Sequence, residues 1–510
     1  MKYRATLYSL LLITLLIPVF IYLQQKLPFM EALLHSDALY GPFLIEDVLK
    51  DFDNYRSWHV APNPSLFPDF LGYLIAYLLT RDHYLSVPIY FFGQLCLLCT
   101  ILYGLYRHFF NQELALATTL LIVSMLISIT LTASGPPYSL LLMSGYHIGN
   151  FIMLLAVLWL FFNLLDGNHT SRDTGGLIVI LFLASVSDRL IIVNTVAPVA
   201  LITTMLLAIR QLQLPLAIRI YVVLAVGSAG MFFSKYTMPY EINYASYGFA
   251  PSIYKIPYGL EILLDVLQQC FKSTPQWLSI TLLVAGSIIL CLAAFRLVSS
   301  ISTPAVMREK PLLLCAFVLA SIGCTFAAPV IHAAVFPRYL LPFFLLPFVL
   351  APVLIVTQTW MTLAMTRRIV LILALGPGLA NVYALQKGDR PLQMVYYPED
   401  IACIDKALAE QEATFGIAQY WDARYIAAYA RESSPQITHV YANLQPYRWM
   451  ISETQFRDRY DFAIIHLQTY PVYTLNEQYL AELNGPPSYA TQCGVRKLLV
   501  YKNNGLSTGN

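Results

Sequence analysis

The sequence predicts a mainly α-helical polytopic membrane protein of about eleven transmembrane helices, followed by a small C-terminal α/β domain. Hydrophobic residues make up 58% of the 510 residues, and charged residues only 12%, well below the roughly 25% of a soluble chain. The charges are also unevenly placed, because residues 386–510 hold 24 of them and residues 1–385 hold only 36. This division predicts a membrane domain over 1–385 and a soluble domain over 386–510.

The spans are predicted from apolar runs that approach the 17–25 residues, roughly, that cross a bilayer. The runs lie at 6–23, 85–106, 114–133, 148–165, 174–187, 190–209, 214–233, 277–295, 311–328, 339–357 and 368–385. The fifth run is short, which indicates a broken or tilted helix. The first run resembles a signal peptide, but Gln24-Gln25-Lys26 is a poor cleavage site, so an uncleaved helix is favoured.

The orientation follows from the Lys and Arg residues of the short loops, which favour the inner side. An inside N-terminus places most of them there, and eleven spans then put the C-terminal domain outside, in the periplasm of a bacterial inner membrane. Residues 67–80 are apolar but only 14 long. A twelfth span here would move Arg107 and Arg210 outside, so this segment is predicted to be re-entrant or to lie on the outer surface.

Two large outer loops are predicted, at about 24–84 and 234–276. The first holds eight of the 16 acidic residues of the membrane domain, including Asp37 and Asp69. A carboxylate at the lipid boundary is partly desolvated, which makes it a better base than in water. Asp69 fits capping of the helix at 67–80 equally well. The tyrosines of the second loop fit an interfacial aromatic belt, or a stacking surface for sugar rings or a prenyl chain.

Other polar residues fall at outer ends of the predicted spans. Ionisable residues in such places are functional candidates, although an Arg at an interface also fits an interaction with lipid headgroups. The residues are His147, Asp188, Arg189, His332, Arg338 and Tyr339. Together with the acidic loop, they indicate that the outer surface is the working side.

Four features of the membrane domain resemble the GT-C class of membrane glycosyltransferases, which includes protein O-mannosyltransferases and the aminoarabinose transferases of lipid A. They are an early acidic residue in Ser36-Asp37-Ala38-Leu39-Tyr40, a Pro-containing segment at 62–68, a basic inner turn at 106–109 and the Arg-Tyr-Leu-Leu-Pro element at 338–342. The resemblance covers the layout of roughly residues 1–385, and none of its motifs is specific.

The resemblance implies a polyprenyl-phosphate sugar donor, a glycan, lipid or protein acceptor, and Asp37 as the catalytic base. Positions proposed to bind the phosphate or sugar of the donor are Arg56, Asp69, His147, Arg338 and Tyr339. The sequence departs from the family in two places: His147 stands about where a second acid is usual, and the acidic pair is reduced to Asp37-Ala38. These departures leave a divalent metal cofactor open.

The C-terminal domain combines helix and strand signals. Helices are predicted at Pro398–Gln411, Asp422–Arg431 and Leu475–Leu483, and strands at Phe415–Tyr420, Ile437–Tyr441, Asp461–Leu467 and Val495–Tyr501. Trp421, Asp422 and Arg424 either bind sugar or pack on the sheet. Cys403 and Cys493 are predicted to form a disulfide in the periplasm. The other six cysteines lie in or next to the spans and are predicted to pack there as small apolar residues.

Several function classes compete. The 31 basic and 29 acidic residues nearly balance, so the chain has no large positive charge that would attract nucleic acid. A transporter or flippase for a lipid-linked saccharide predicts ionisable residues at mid-membrane, whereas the charges here sit almost wholly at the ends of the runs. A polysaccharide polymerase or ligase, and a membrane anchor for the C-terminal domain, are further alternatives. The sequence favours an outer-facing glycosyltransferase.

Overall fold

A computed structural model describes most of the chain. The described residues are 2–24, 34, 36–133, 135–142, 148–166, 171–237, 240–241, 251–272, 274–300, 309–356, 363–386, 391–468, 473–502 and 505–508.

Helices dominate up to residue 386, as predicted. They are α1 (Lys2–Leu23), α2 (Ser36–Lys50), α3 (Leu71–Thr80), α4 (His83–Tyr106), α5 (Gln112–Thr132), α6 (Ile148–Leu165), α7 (Ser171–Ser187), α8 (Ala197–Ala208), α9 (Leu214–Ser228), α10 (Gly230–Thr237), α11 (Ile256–Lys272), α12 (Gln276–Ser300), α13 (Lys310–His332), α14 (Leu341–Val356) and α15 (Leu363–Gln386). The helices α5 and α6 are largely buried among their neighbours, whereas α12 is mostly exposed on the side of the bundle.

Eight helical stretches of the described chain are long and apolar enough to cross a membrane. They are Thr6–Leu23, His83–Tyr106, Gln112–Thr132, Ile148–Leu165, Leu214–Phe233, Gln276–Ser299, Lys310–His332 and Pro337–Val356. The other three predicted runs coincide with α7, with the shorter apolar stretch Ile192–Ala208 and with α15. The total of eleven spans therefore stays a prediction.

The short apolar segment at 67–80 forms one helical stretch, Leu66–Thr80, which begins with a π-helical turn at Leu66–Phe70 and continues as α3. Fifteen residues at about 1.5 Å each extend about 22 Å, which is less than the hydrocarbon thickness of roughly 30 Å. The re-entrant or surface-lying placement of this segment stays a prediction.

The C-terminal part contains an α/β unit. Its elements are α16 (Glu399–Glu410), β3 (Phe415–Ala418), α17 (Tyr420–Tyr429), β4 (Gln436–His439), β5 (Ile451–Ser452), β6 (Arg459–Tyr460), β7 (Phe462–His466), α18 (Glu477–Asn484), β8 (Tyr489–Cys493), β9 (Arg496–Val500) and β10 (Leu506–Ser507). Strands β4, β3 and β7 are parallel and β9 and β8 continue antiparallel, so that β4 and β8 are the two edges of a five-stranded sheet. The three helices and four strands predicted here are all present, within about two residues at each end.

A second, small sheet joins three distant parts of the chain. Strand β1 (Trp58–Val60) of the first outer loop pairs in parallel with β2 (Tyr240–Glu241) of the second, and antiparallel with β5 of the C-terminal part. Trp58, the first residue of β1, is fully buried. The pairing fixes the first outer loop against the C-terminal α/β unit, which is what builds the site described next.

A disulfide ties α16 to β8. Cys403 and Cys493 are bonded, with their Cα atoms 5.6 Å apart, within the normal range for a disulfide. The bond closes a loop that contains most of the five-stranded sheet.

Candidate functional site

The first turn of α2 is hydrogen-bonded to the first turn of α17. Asp37 lies in the first turn of α2, half-buried, and the Tyr420 hydroxyl donates a hydrogen bond to its Oδ1 atom. The adjacent Ser36 hydroxyl donates to the backbone carbonyls of Tyr420 at 2.5 Å and Trp421 at 3.1 Å. The residue predicted to be the base therefore faces the C-terminal α/β unit directly.

Tyr420 is fixed by its aromatic neighbours. Its ring is 2% exposed and lies 4.9 Å from the Trp421 ring, 5.1 Å from His439 and 5.7 Å from Tyr447, all at steep angles. Burial, reinforced by the Asp37 carboxylate, raises the pKa of Tyr420 above its ordinary value. The hydroxyl therefore stays protonated and remains a donor to Asp37.

Arg424 follows Tyr420 by one helical turn and lies on the same face of α17. Its guanidinium carbon lies 5.9 Å from the ring centre of Tyr40, 5.7 Å from Phe43 and 5.2 Å from Trp58. The side chain is 4% exposed, and its two terminal nitrogens have no hydrogen-bond partner among the described residues. Cation–π contacts thus hold a buried cation next to the candidate base.

Asp69 is the second acid that the sequence singled out, and it is 3% exposed. The Tyr90 hydroxyl donates to its Oδ1 atom at 2.5 Å, and the carboxylate also accepts from the backbone of Gly149 in the first turn of α6. A Cβ atom at Gly149 would lie 2.3 Å from the Asp69 Oδ2 atom, so only glycine fits. Asp69 therefore binds the N-terminus of the neighbouring helix, whereas no side-chain hydrogen bond caps the start of its own helix, which was the alternative that the sequence also allowed.

The remaining predicted site residues divide between two places. Arg56 is 83% exposed and pairs with Asp53 at 3.8 Å on the solvent side. Arg338 lies over the rings of Phe336 at 5.1 Å and Tyr339 at 5.6 Å. Tyr339 and Asp69 both interact electrostatically with Asp188, at the end of α7, which groups these outer-side residues together. His147 lies outside the described residues.

The sequence did not point to Tyr420, His439 or Tyr447. It raised Arg424 with Trp421 and Asp422, and the structure separates these three. Asp422 is buried in an ion pair with Arg496, Arg424 faces the first outer loop, and Trp421 is 39% exposed at the edge of the Tyr420 ring. The run of polar and aromatic residues that opens α17 was the signal available in the sequence.

A divalent metal was left open by the sequence. Across the part of the chain that the structure describes, no group of three or more His, Cys, Asp or Glu side chains is arranged to hold one.

His439 predicts an acid sensitivity of the α/β unit. Burial lowers its pKa to about 3, from an ordinary value of about 6.5, and a ring nitrogen donates to the Trp449 carbonyl. Below about pH 6.5 the unfolded chain takes up a proton that the folded chain does not, so this group should cost about 1.4 kcal/mol of stability per pH unit, or about 2 kcal/mol at pH 5.

This expectation is checked by thermal unfolding of the wild type and of His439→Gln at pH 7.5 and pH 5. The wild type should lose more stability on acidification than the variant, whose amide can still donate to Trp449. An equal loss in both proteins would contradict the assignment.

Comparisons with known proteins find similarity in solved structures. The chain is similar to archaeal oligosaccharyltransferase AglB from Archaeoglobus fulgidus, solved in complex with an inhibitory peptide and a dolichol-phosphate; the TM-score is 0.46 and the identity 11%, over 91% of this chain and 70% of that one. It is also similar to an Archaeoglobus fulgidus oligosaccharyltransferase in complex with Zn and sulfate, with a TM-score of 0.44 and 12% identity, over 90% of this chain and 68% of that one.

No family model and no curated protein matches the sequence. Both solved structures are of oligosaccharyltransferases.

Proposed function

We propose that this protein is a membrane glycosyltransferase that moves a sugar from a polyprenyl-phosphate donor to an acceptor on the periplasmic side of the membrane. The observation that carries the proposal is the setting of Asp37. This carboxylate stands half-buried in the first turn of α2, bonded to a hydroxyl of the C-terminal α/β unit and close to a buried cation.

The chemistry assigns Asp37 the role of base. The acceptor hydroxyl gives its proton to the Asp37 carboxylate while the hydroxyl oxygen forms a bond to the anomeric carbon of the sugar. The bond between that carbon and the phosphate oxygen breaks at the same time, and its electron pair stays on the departing phosphate. The Tyr420 hydroxyl donates its hydrogen bond to Oδ1 of Asp37, and this hydrogen bond orients the carboxylate toward the acceptor.

The departing phosphate requires cations or hydrogen-bond donors. Arg338 and His147 are the proposed partners, with Asp69 and Tyr339 supporting Arg338 at the outer ends of the spans. Arg56, which faces solvent, fits only the rim of such a site.

Transfer is tested with the purified protein in lipid nanodiscs, using polyprenyl-phosphate sugars labelled in the sugar and envelope glycans, lipids or proteins as acceptors. We expect label to become covalently attached to one acceptor class. Movement of the intact lipid-linked saccharide across a proteoliposome without covalent transfer would instead support a flippase.

The proposed periplasmic location makes a further prediction, because disulfides form and persist in oxidising compartments. In acid-quenched, denatured protein from cells, the six free cysteines should react with a polyethylene-glycol maleimide, and all eight only after reduction. The double variant Cys403→Ser/Cys493→Ser should show six adducts under both conditions. Eight adducts in the wild type before reduction would place this pair in a reducing compartment.

A further inference from the structure

A large cleft opens beside α2, at the end away from Asp37. Its volume is about 760 Å³, within the roughly 300–1,000 Å³ of small-molecule sites. One wall comes from the C-terminal half of α2 and from α3, and the other from α17, β4 and the turn after β5. The cleft therefore lies between the first outer loop and the C-terminal α/β unit.

Two carboxylates of the cleft are held in fixed orientations. Glu46 accepts a hydrogen bond from the Tyr77 hydroxyl at 2.6 Å and lies 3.0 Å from the His83 Nε2 atom. Asp47 accepts from the Trp58 indole nitrogen at 3.0 Å. Both side chains stay partly exposed, at 27% and 22%, so each can still bind a ligand.

Cations and amides also line the cleft, and one of these cations, Lys50, pairs with Asp47 at 3.7 Å. Lys50, Arg81 and Arg424 line the cleft together with the amides of Gln436 and Gln455. Phe43 and Tyr77 contribute ring surface, and both rings stack on His83 at 5.7 Å and 5.1 Å.

This mixture selects for a neutral ligand with many hydroxyl groups. The carboxylates of Glu46 and Asp47 and the basic groups of Lys50 and Arg81 offset one another in charge, so the cleft gives neither an anion nor a cation a net attraction. A sugar can donate to the carboxylates, accept from the basic and amide groups, and lay its C–H face on an aromatic ring. We infer that the cleft between α2 and α17 is a saccharide-binding site.

The position of the cleft gives the size of the substrate, an inference that rests on the proposed function. Glu46 and Asp47 follow Asp37 by nine and ten residues along one helix, which corresponds to about 14–15 Å. A sugar bound in the cleft is therefore too far from Asp37 to be the reacting sugar. The structure assigns an extended glycan of several sugar residues, with one end at Asp37 and the other end in the cleft.

Binding is tested with the purified full-length protein and without catalysis. The probe is a pool of fluorescently labelled oligosaccharides, released by mild acid from the envelope of the source cells, and binding is followed by fluorescence anisotropy. Gln436 is the exposed first residue of the edge strand β4, so Gln436→Trp places a large ring in the cleft and should weaken binding at least about tenfold. The matched control, Gln492→Trp, is exposed on the opposite edge strand β8 and should bind like the wild type.

Glu46→Gln provides a second variant, which removes the charge of a lining carboxylate and should also weaken binding. No binding by the wild type, equal binding by Gln436→Trp, or competition by an envelope peptide pool but not by unlabelled oligosaccharides would overturn the assignment.

The two proposals fail in different ways. If the cleft binds glycan but no transfer from polyprenyl-phosphate sugars occurs, the proposed function is wrong and the binding site stands. If transfer occurs and Gln436→Trp leaves both binding and the KM for the acceptor unchanged, the cleft assignment is wrong and the proposed function stands.

Discussion

Replacing Asp37 by Asn is expected to lower the rate of sugar transfer by about 10²–10⁴-fold, the usual contribution of a general base. Asparagine has the same shape and still accepts the hydrogen bond from Tyr420, so the contact between α2 and α17 should persist. It cannot take the proton from an acceptor hydroxyl. The measurement is the initial rate of transfer, with gel filtration and limited proteolysis to show that the fold is retained.

Asp53→Asn is the matched control for this experiment. Asp53 belongs to the same acidic loop, but its side chain is 77% exposed and pairs with Arg56, which is 83% exposed. Its loss should leave transfer unchanged. A fully active Asp37→Asn variant would remove Asp37 from the role of base.

The second large effect concerns the stability of the α/β unit. Arg496 is 11% exposed and pairs with Asp422, which is 1% exposed, at 2.6 Å, and also with Asp400. Arg496→Met should destabilise the protein by about 3–5 kcal/mol, because it leaves a buried carboxylate without its cation. Thermal unfolding of the full-length protein in detergent measures the loss.

The neighbouring residue on β9 supplies the control. Lys497 pairs with Glu477 at 2.7 Å, but the two side chains are 30% and 46% exposed. Lys497→Met should therefore cost no more than about 1 kcal/mol. Equal melting temperatures for Arg496→Met and the wild type would contradict the importance of the buried pair.

Arg496 also matters for the candidate site. Asp422 lies in the first turn of α17, two residues after Tyr420, so the ion pair holds the end of the helix that contacts Asp37. We expect Arg496→Met to reduce transfer in proportion to the loss of folded protein, without a change in the KM of the remaining activity.

Local patterns predicted much of the fold. Long apolar runs form helices because each backbone group finds its partner within the segment, and all eleven runs lie on helices. The alternation of strands and helices after residue 390 was read within about two residues, since apolar periodicity and turn residues act over short distances. The disulfide partners followed from counting, because only two cysteines lie outside the predicted membrane domain.

The site was predicted only in part. Asp37 was identified from its place after the first span and from a family resemblance. Asp69 was identified as a candidate, with capping of its own helix as the alternative, whereas its carboxylate reaches Gly149, eighty residues further along the chain. Sequence patterns cannot show which helix end a buried carboxylate will face.

The sequence determined the class of molecule, the helical membrane part, the α/β unit after it and the acidic loop after the first helix, because hydrophobicity and charge act on each segment separately. Only the tertiary structure decided that Tyr420 bonds to Asp37 across 383 positions and that Arg424 lies against Tyr40 and Trp58. Contacts at such separations depend on how whole elements pack, here through the small sheet that joins both outer loops to the C-terminal part.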